Sequence, residues 1–388
     1  MSGFTAAGSE RLGEVAWSHV GPERVPGLVA LVAAGDDVHV EALGELTIGG
    51  PPVQRDSLFR IASTSKPITG AATMALVDEG LLALDEPVTR LLPELASPRV
   101  LRQMDGPLDD TVPANREITV RDLLTFTFGF GMHIGMFMAS TPWPIVAAAA
   151  EARLATIGPP DPDVAPNPDE WIKRLGSLPL MAQPGERWLY NTGAHVLSVL
   201  CQRAAGTASY FDVLRSRVFE PLGMSSTSFA VSDTARLATA YVNTPDGLLV
   251  WDAPDGKWSR QPAFEDGAAG LVSTVDDLLA FSRMFLNHGT PVLSAASVAE
   301  MTRDQLASGQ RAGQEAFLGD RSWGLCQSVI TSGERAGAFG WDGGLGTSFL
   351  VDPARDLVVI VLTQRLWEQA QAPAVHTDIQ AAAYAALT

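Results

Sequence analysis

Residues 27–34, GLVALVAA, are an unbroken apolar run; Gly35-Asp36-Asp37 follow as turn residues, and Val38, Val40 and Ala42 then alternate with polar neighbours. This pattern predicts a β-hairpin over 27–46. Leu58 to Ala62 lead into Ser63, and Lys66 to Leu82 carry helical periodicity. Pro67 fits such a helix only in its first turn, because proline lacks an N–H and its ring collides with the preceding turn further in. Ser63 therefore falls at a helix N-terminus, where free N–H groups and the helix dipole favour developing negative charge. From residue 83 to 265 the pattern turns to helices joined by long loops. Thr119-x-x-Asp122 opens ITVRDLLTF as a capping box, and Asn167-Pro168-Asp169 caps DEWIKRL. Two loops, 103–116 and 156–168, rich in Pro, Gly and Asp, read either as pocket walls or as surface insertions. From 266 onward Ser273-Thr274 caps VDDLLAFSRMFL. The strand-like SFLVD and LVVIVLT then flank a turn at Pro353-Ala354-Arg355-Asp356, and a last helix spans 366–386. Strands near both chain ends with helices between predict an α+β protein. Residues 1–82 and 266–388 would form one mixed sheet domain, and 83–265 a mostly helical one.

The length of 388 residues also favours two lobes over one core. The balance of 27 basic against 44 acidic residues leaves a net charge of −17. That argues against nucleic acid, which needs a basic face, and against an anionic membrane surface. Cys201 and Cys326 do not make a disulfide framework, and Cys201 lies in the apolar helix-like HVLSVLCQRAAG. The opening residues lack the basic and apolar regions of a signal peptide, so a cytoplasmic protein with reduced thiols is expected. The six histidines show no metal-ligand spacing, and neither G-x-S-x-G nor G-x-G-x-x-G occurs. No cofactor or metal is expected, and serine chemistry here needs a base that no histidine motif supplies.

Ser63-Thr64-Ser65-Lys66 offers one. The chain has three lysines, Lys66, Lys173 and Lys257, and only Lys66 follows a serine by three positions. That spacing puts both side chains on one helix face, one turn apart. A serine hydroxyl is a weak nucleophile until its proton is taken. A lysine one turn away either takes that proton or holds the field that lets another group do so. Two further segments join this one: PGERWLYNTGAHVL, with Tyr190-Asn191-Thr192, and FGWDGGLGTSFLVDP, with Trp341-Asp342-Gly343-Gly344. With LFRIAS, ALVDEGLLALDEPV, VFEPLGMSST and GAAGLVSTVDDL, in this order, the chain resembles the class C β-lactamase and D,D-peptidase superfamily over nearly its whole length. Within it the chain is similar to the carboxylesterase branch, the family VIII esterases.

The resemblance implies a serine β-lactamase/D,D-peptidase-like fold, an antiparallel sheet flanked by helices plus a mostly helical domain, with the active site in the cleft between them. It implies Ser63 as nucleophile, Lys66 as its partner, and Tyr190 as general base and then acid. It also implies an oxyanion hole from the Ser63 and Gly344 N–H groups, and a substrate wall from Trp341, Asp342 and Gly343. A nearby ammonium would pull the tyrosine pKa down from about 10. Tyr241-Val242-Asn243 also matches the Y-x-N letters, but its surroundings resemble a family segment with no catalytic part.

Three departures bear on the substrate. Trp341 stands where β-lactamases and transpeptidases carry Lys or His, so no cation there would hold a substrate carboxylate. Thr192 stands where Y-x-N has Asn. Phe126 and Phe128 replace polar residues of the family's L-L-T-H-T-S-G run and begin a largely apolar segment that reads equally as pocket wall or core packing. The leading expectation is a carboxylesterase acting on short-chain or apolar small-molecule esters. The alternatives are a β-lactamase, D,D-peptidase or amidase, an acyltransferase on the same residues, and a non-catalytic binding protein.

Overall fold

The apolar run 27–34 is the strand Gly27–Ala34, and Asp37–Gly44 returns beside it as the hairpin predicts. The computed structural model describes residues 3–21, 23–369 and 371–387. The hairpin joins a seven-stranded antiparallel sheet. Its order is Asp37–Gly44, Gly27–Ala34, Leu357–Thr363, Thr347–Asp352, Phe339–Gly343, Ser328–Ile330 and Arg321–Trp323. The strands near the N-terminus thus pair directly with those near the C-terminus, Leu31 opposite Ile360.

The run is unbroken because helices cover both faces of the strand. Val29, Leu31 and Ala33 join the large core with Ile360 and Leu362. Leu28, Ala30 and Val32 face the other way, onto Leu12, Ala16, Ile379 and Ala383 of the helices Ala6–Ser18 and Ala374–Ala386. Gly8 lets these two terminal helices touch, since a Cβ there would come within 2.7 Å of Ala386 Cα. On the first face lies the helix Val275–Leu286, N-capped by Thr274, whose hydroxyl accepts from the Asp277 N–H. Next to it runs the helix Ser65–Asp78, buried without interruption from Ser65 to Leu76.

Two expected boundaries shift, and the stretch read as helices and loops also holds strands. The helix after Ser63 stops at Asp78 instead of Leu82, because Gly80 takes a left-handed φ of +73° that ends it. The last helix begins at Ala374, after Pro373, instead of 366. Residues 83–265 hold two small hairpins besides helices: Arg99–Leu101 with Thr111–Pro113, and Ala240–Thr244 with Gly247–Asp252. The caps read from sequence are present, a full capping box at Thr119 and Asp122 and an Asn167 cap on Pro168–Gly176. No helix among the described residues is long and apolar enough to cross a membrane.

A two-residue ladder, Phe59–Arg60 against Val272–Ser273, matters most for the site. It ties the segment entering Ser63 to the GAAGLV segment. Arg60 anchors it through a buried ion pair with Asp252, with the Trp258 ring beneath the guanidinium.

Candidate active site

Ser63 sits in a single 3-10 turn, Ala62–Thr64, immediately before the helix Ser65–Asp78. Ala62 is held at a φ of +45°, a conformation non-glycine residues rarely adopt. Such strain persists only where surrounding structure enforces it. Here Ile61 is fixed on both sides: its N–H donates to Leu271 O at 2.9 Å, and its carbonyl accepts from Thr347 Oγ1 at 2.8 Å. Gly343 makes that approach possible, since a Cβ there would lie 2.3 Å from Ile61 O.

Lys66 Nζ lies 2.8 Å from Ser63 Oγ and donates to Ala268 O at 2.9 Å. The side chain is fully buried. Burial pushes its pKa down to about 7, with Asp266 as the main opposing influence. The carbonyl it uses belongs to a clamped segment: Thr69 Oγ1 donates to Gly267 O at 2.7 Å, and Gly267 N–H donates to Ser198 Oγ at 2.9 Å.

Tyr190 arrives from the opposite side. Its backbone pairs with Met132 through two hydrogen bonds of 2.7 and 2.9 Å. The next residue, Asn191, has φ +87° and ψ −60°, a strained γ-turn in which Thr192 N–H donates to Tyr190 O at 3.2 Å. Asn191 Nδ2 holds the tip by donating to Thr156 O at 2.8 Å. The phenol then reaches the cleft. Lys66 Nζ lies 4.6 Å above the centroid of its ring, and the Trp341 indole N–H donates to its oxygen at 2.7 Å. Ser63 also bears on this hydroxyl, favouring its ionised form. The expected lowering of the Tyr190 pKa is not found. Burial raises it above its ordinary value and outweighs the help of Ser63 and Trp341, so the phenol is neutral.

A cavity of about 450 Å³ opens over these groups. Ser63, Tyr190, Trp341, Asp342 and Gly344 line it, with apolar walls that include Met132, Phe137, Phe317 and Leu345. Gly344 faces open space, and neither its N–H nor that of Ser63 is used in a hydrogen bond among the described residues. Asp342 is tied down by Arg321 Nη1 at 2.9 Å and Ser348 Oγ at 2.6 Å. Lys66 lies just behind Ser63, and Gly343 acts through the close approach described above.

Three expected pocket residues are elsewhere: Gly343 does not line the cavity, because it packs against Ile61 O, and two phenylalanines lie in the core. Phe126 and Phe128 are fully buried off the cavity, and Phe126 packs edge-on against Tyr190 with ring centroids 5.9 Å apart. They are core because the strand-like path through Tyr190 covers them; Met132 and Phe137, later in the same segment, do reach the cavity. Thr192 is fully buried, and Asn191 takes its place on the cavity wall. Loop 156–168 contributes Gly158, Pro159 and Pro160 to that wall, whereas 103–116 contributes nothing. Tyr241 is far from this chemistry in role: its hydroxyl accepts from Ile48 N–H at 2.9 Å and its N–H donates to Gln364 O. Sequence reasoning missed His195, Asp266 and Arg321. His195 sits at helical spacing from Asn191, and nothing in the letters joins it to an aspartate 71 positions on.

This arrangement of sheet, the helix Ser65–Asp78 and an opposed tyrosine is the fold of the serine β-lactamases and penicillin-binding proteins. The chain belongs to the Beta-lactamase family, whose model matches residues 18–384. It is similar to Protein Rv1367c of Mycobacterium tuberculosis, 39% identical over 335 residues, covering 81% of this chain and 79% of that one. It is also similar to Esterase EstB of Burkholderia gladioli, 32% identical over 381 residues, covering 90% and 88%. Among solved structures, EstCE1, described as a hydrolase with promiscuous acyltransferase activity, superposes with a TM-score of 0.81. The two are 24% identical, with 97% of this chain and 98% of that one covered, a likeness of fold.

Proposed function

We propose that this serine hydrolase is a carboxylesterase for apolar small-molecule esters, working through an acyl-enzyme on Ser63. The observation that carries the reading is the 2.8 Å contact between Ser63 Oγ and a fully buried lysine whose pKa falls to about 7. An amine at that poise can act as base near neutral pH. With one N–H on Ala268 O, the lone pair of Lys66 takes the Ser63 proton as Oγ attacks the ester carbonyl. The Ser63 and Gly344 N–H groups hold the resulting oxyanion. Tyr190, a neutral phenol oriented by Trp341, gives its proton to the departing alkoxide and regains one from Lys66. Water then repeats the sequence in reverse, releasing the acid. Burial makes Tyr190 the acid and relay, and the base role passes to Lys66.

The apolar walls suit an ester without charge near the carbonyl. EstB, named an esterase, supports the same reaction class. The test is a hydrolysis screen of p-nitrophenyl esters across acyl lengths, beside a chromogenic cephalosporin. Hydrolysis of short esters by wild type and its loss in Ser63→Ala are expected; activity retained in Ser63→Ala would overturn the reading. Acyl transfer is the second reading, favoured by a 450 Å³ cavity that can hold an acyl group and an alcohol together. Ester product formed from an added alcohol, measured against acid released, separates the two.

A further inference from the structure

His195 is buried beside the catalytic groups, and the proposed mechanism does not use it. Its two ring nitrogens both face acceptors: Nδ1 lies 3.3 Å from Asn191 O, and Nε2 lies 3.3 Å from Asp266 Oδ1. A neutral imidazole has one N–H, so in either tautomer one lone pair would point at an oxygen. One additional proton, on the ring or on the carboxyl, removes that conflict. Burial alone works against an isolated imidazolium, and it draws the His195 pKa below its ordinary value. A ring and a carboxyl that share the proton are jointly uncharged, and burial penalises such a pair far less than a lone ion. The ring is held rigidly for this contact, stacked on Trp171 at 5.8 Å and 12° and facing Phe264 at 6.3 Å.

The pair also connects the two halves of the site. Asn191 follows Tyr190, and its carbonyl faces His195. Asp266 Oδ1 accepts from Ala268 N–H at 2.7 Å, and Ala268 O receives Lys66 Nζ. Among the described residues, the groups facing this cluster are Lys66, which acts on His195; Tyr210, which acts with Asp266; and Cys326, which faces Lys66. Asp266 is the carboxylate that bears on Lys66.

We propose that His195 and Asp266 hold one shared proton and so shield Lys66 from the Asp266 charge, making both of them positioning residues that keep Lys66 able to work as an amine. The inference rests on the reading of Lys66 as base. Loss of the imidazole leaves a bare carboxylate facing Lys66, which holds its proton more tightly. Loss of the carboxylate as well removes the cause.

The experiment is the pH dependence of kcat/KM for p-nitrophenyl butyrate, together with the rate of Ser63 labelling by a fluorophosphonate. It compares wild type, His195→Gln, Asp266→Asn and the double variant. The wild-type acid limb is expected to be set by Lys66, below the position that an unshielded Asp266 charge would give it. His195→Gln should move that limb up by about one unit or more, the size of a nearby charge, with a loss of about tenfold per unit below it. Adding Asp266→Asn should return the limb to the wild-type position or lower, and Asp266→Asn alone should not raise it. Labelling rate constants report the folded enzyme only, so a partly unfolded variant still gives its limb. A His195→Gln enzyme that is slower at every pH with its limb unmoved would overturn the proposal. So would a double variant whose limb stays high. Failure of the underlying reading shows separately, as a wild-type adduct on a residue other than Ser63.

Discussion

The Trp341 indole donates to the Tyr190 hydroxyl at 2.7 Å, so the residue that lacks a charge still orients the phenol. Trp341→Phe keeps the apolar wall and removes only this donor. A lost hydrogen bond of about 1–1.5 kcal/mol predicts a fall of roughly five- to tenfold in kcat for p-nitrophenyl butyrate with KM nearly unchanged. Steady-state kinetics with kcat intact would exclude an orienting part for the indole. Tyr190 and Tyr241 separate at the same scale. Tyr190→Phe removes the acid and should lower kcat by at least about a hundredfold, as general acid–base losses do. Tyr241→Phe should keep kcat near wild type and lose about 1 kcal/mol of stability, since its hydroxyl accepts only from Ile48 N–H. The contact of Ser63 with Lys66 was legible from their spacing of three, and the approach of Tyr190 to them from the resemblance. The neutral state of Tyr190 was not, because its burial is completed by Trp323, Phe317 and Phe126, rings that fold in from distant positions beside the neighbouring Trp188. The shift of Phe126 and Phe128 from pocket to core has the same origin, since an apolar residue reads alike in either place.

The strand Phe339–Gly343 and the turn after it set the distance between the sheet and the Ser63 segment. At Gly343 a Cβ would lie 2.3 Å from both Ile61 O and Thr347 Oγ1, whereas at Gly344 it would meet nothing within 4 Å. Gly343→Ala should therefore push the strand off the Ser63 segment, costing about 1–3 kcal/mol of stability and most of the activity. Gly344→Ala should keep both, because the proposed oxyanion donor is a backbone N–H. Thermal melts and p-nitrophenyl butyrate assays on the two variants check this; equal tolerance at both glycines would contradict the close approach. Elements marked by local chemistry were readable: the hairpin at 27–46 by its turn, and the helices at Thr119, Asn167 and Thr274 by their capping side chains. The hairpin at Ala240–Thr244 was not, because its strand is held by pairing with the loop at Gln364, which no local pattern announces.

The whole molecule places the site where the end of the strand Phe339–Gly343, the start of the helix Ser65–Asp78 and the Tyr190 loop meet, under a largely apolar cavity. Arg321 is the one Lys or Arg among the described lining residues, and Asp342 already binds it. A carboxylate-bearing β-lactam would enter without a free cation, losing a charged hydrogen bond of about 1.5–3 kcal/mol. Cephalosporin kcat/KM should therefore fall at least about tenfold below that for p-nitrophenyl butyrate. Comparable values in one assay series would contradict the specificity account. The central claim is a covalent acyl-enzyme on Ser63 formed with Lys66 as base. Its most direct test is mass spectrometry of wild type and Lys66→Ala quenched during turnover of a slow ester, with peptide mapping of the adduct. The account predicts one acyl group on Ser63 in wild type and none accumulating in Lys66→Ala. An adduct on another residue, or equal acylation of Ser63 without Lys66, would contradict it.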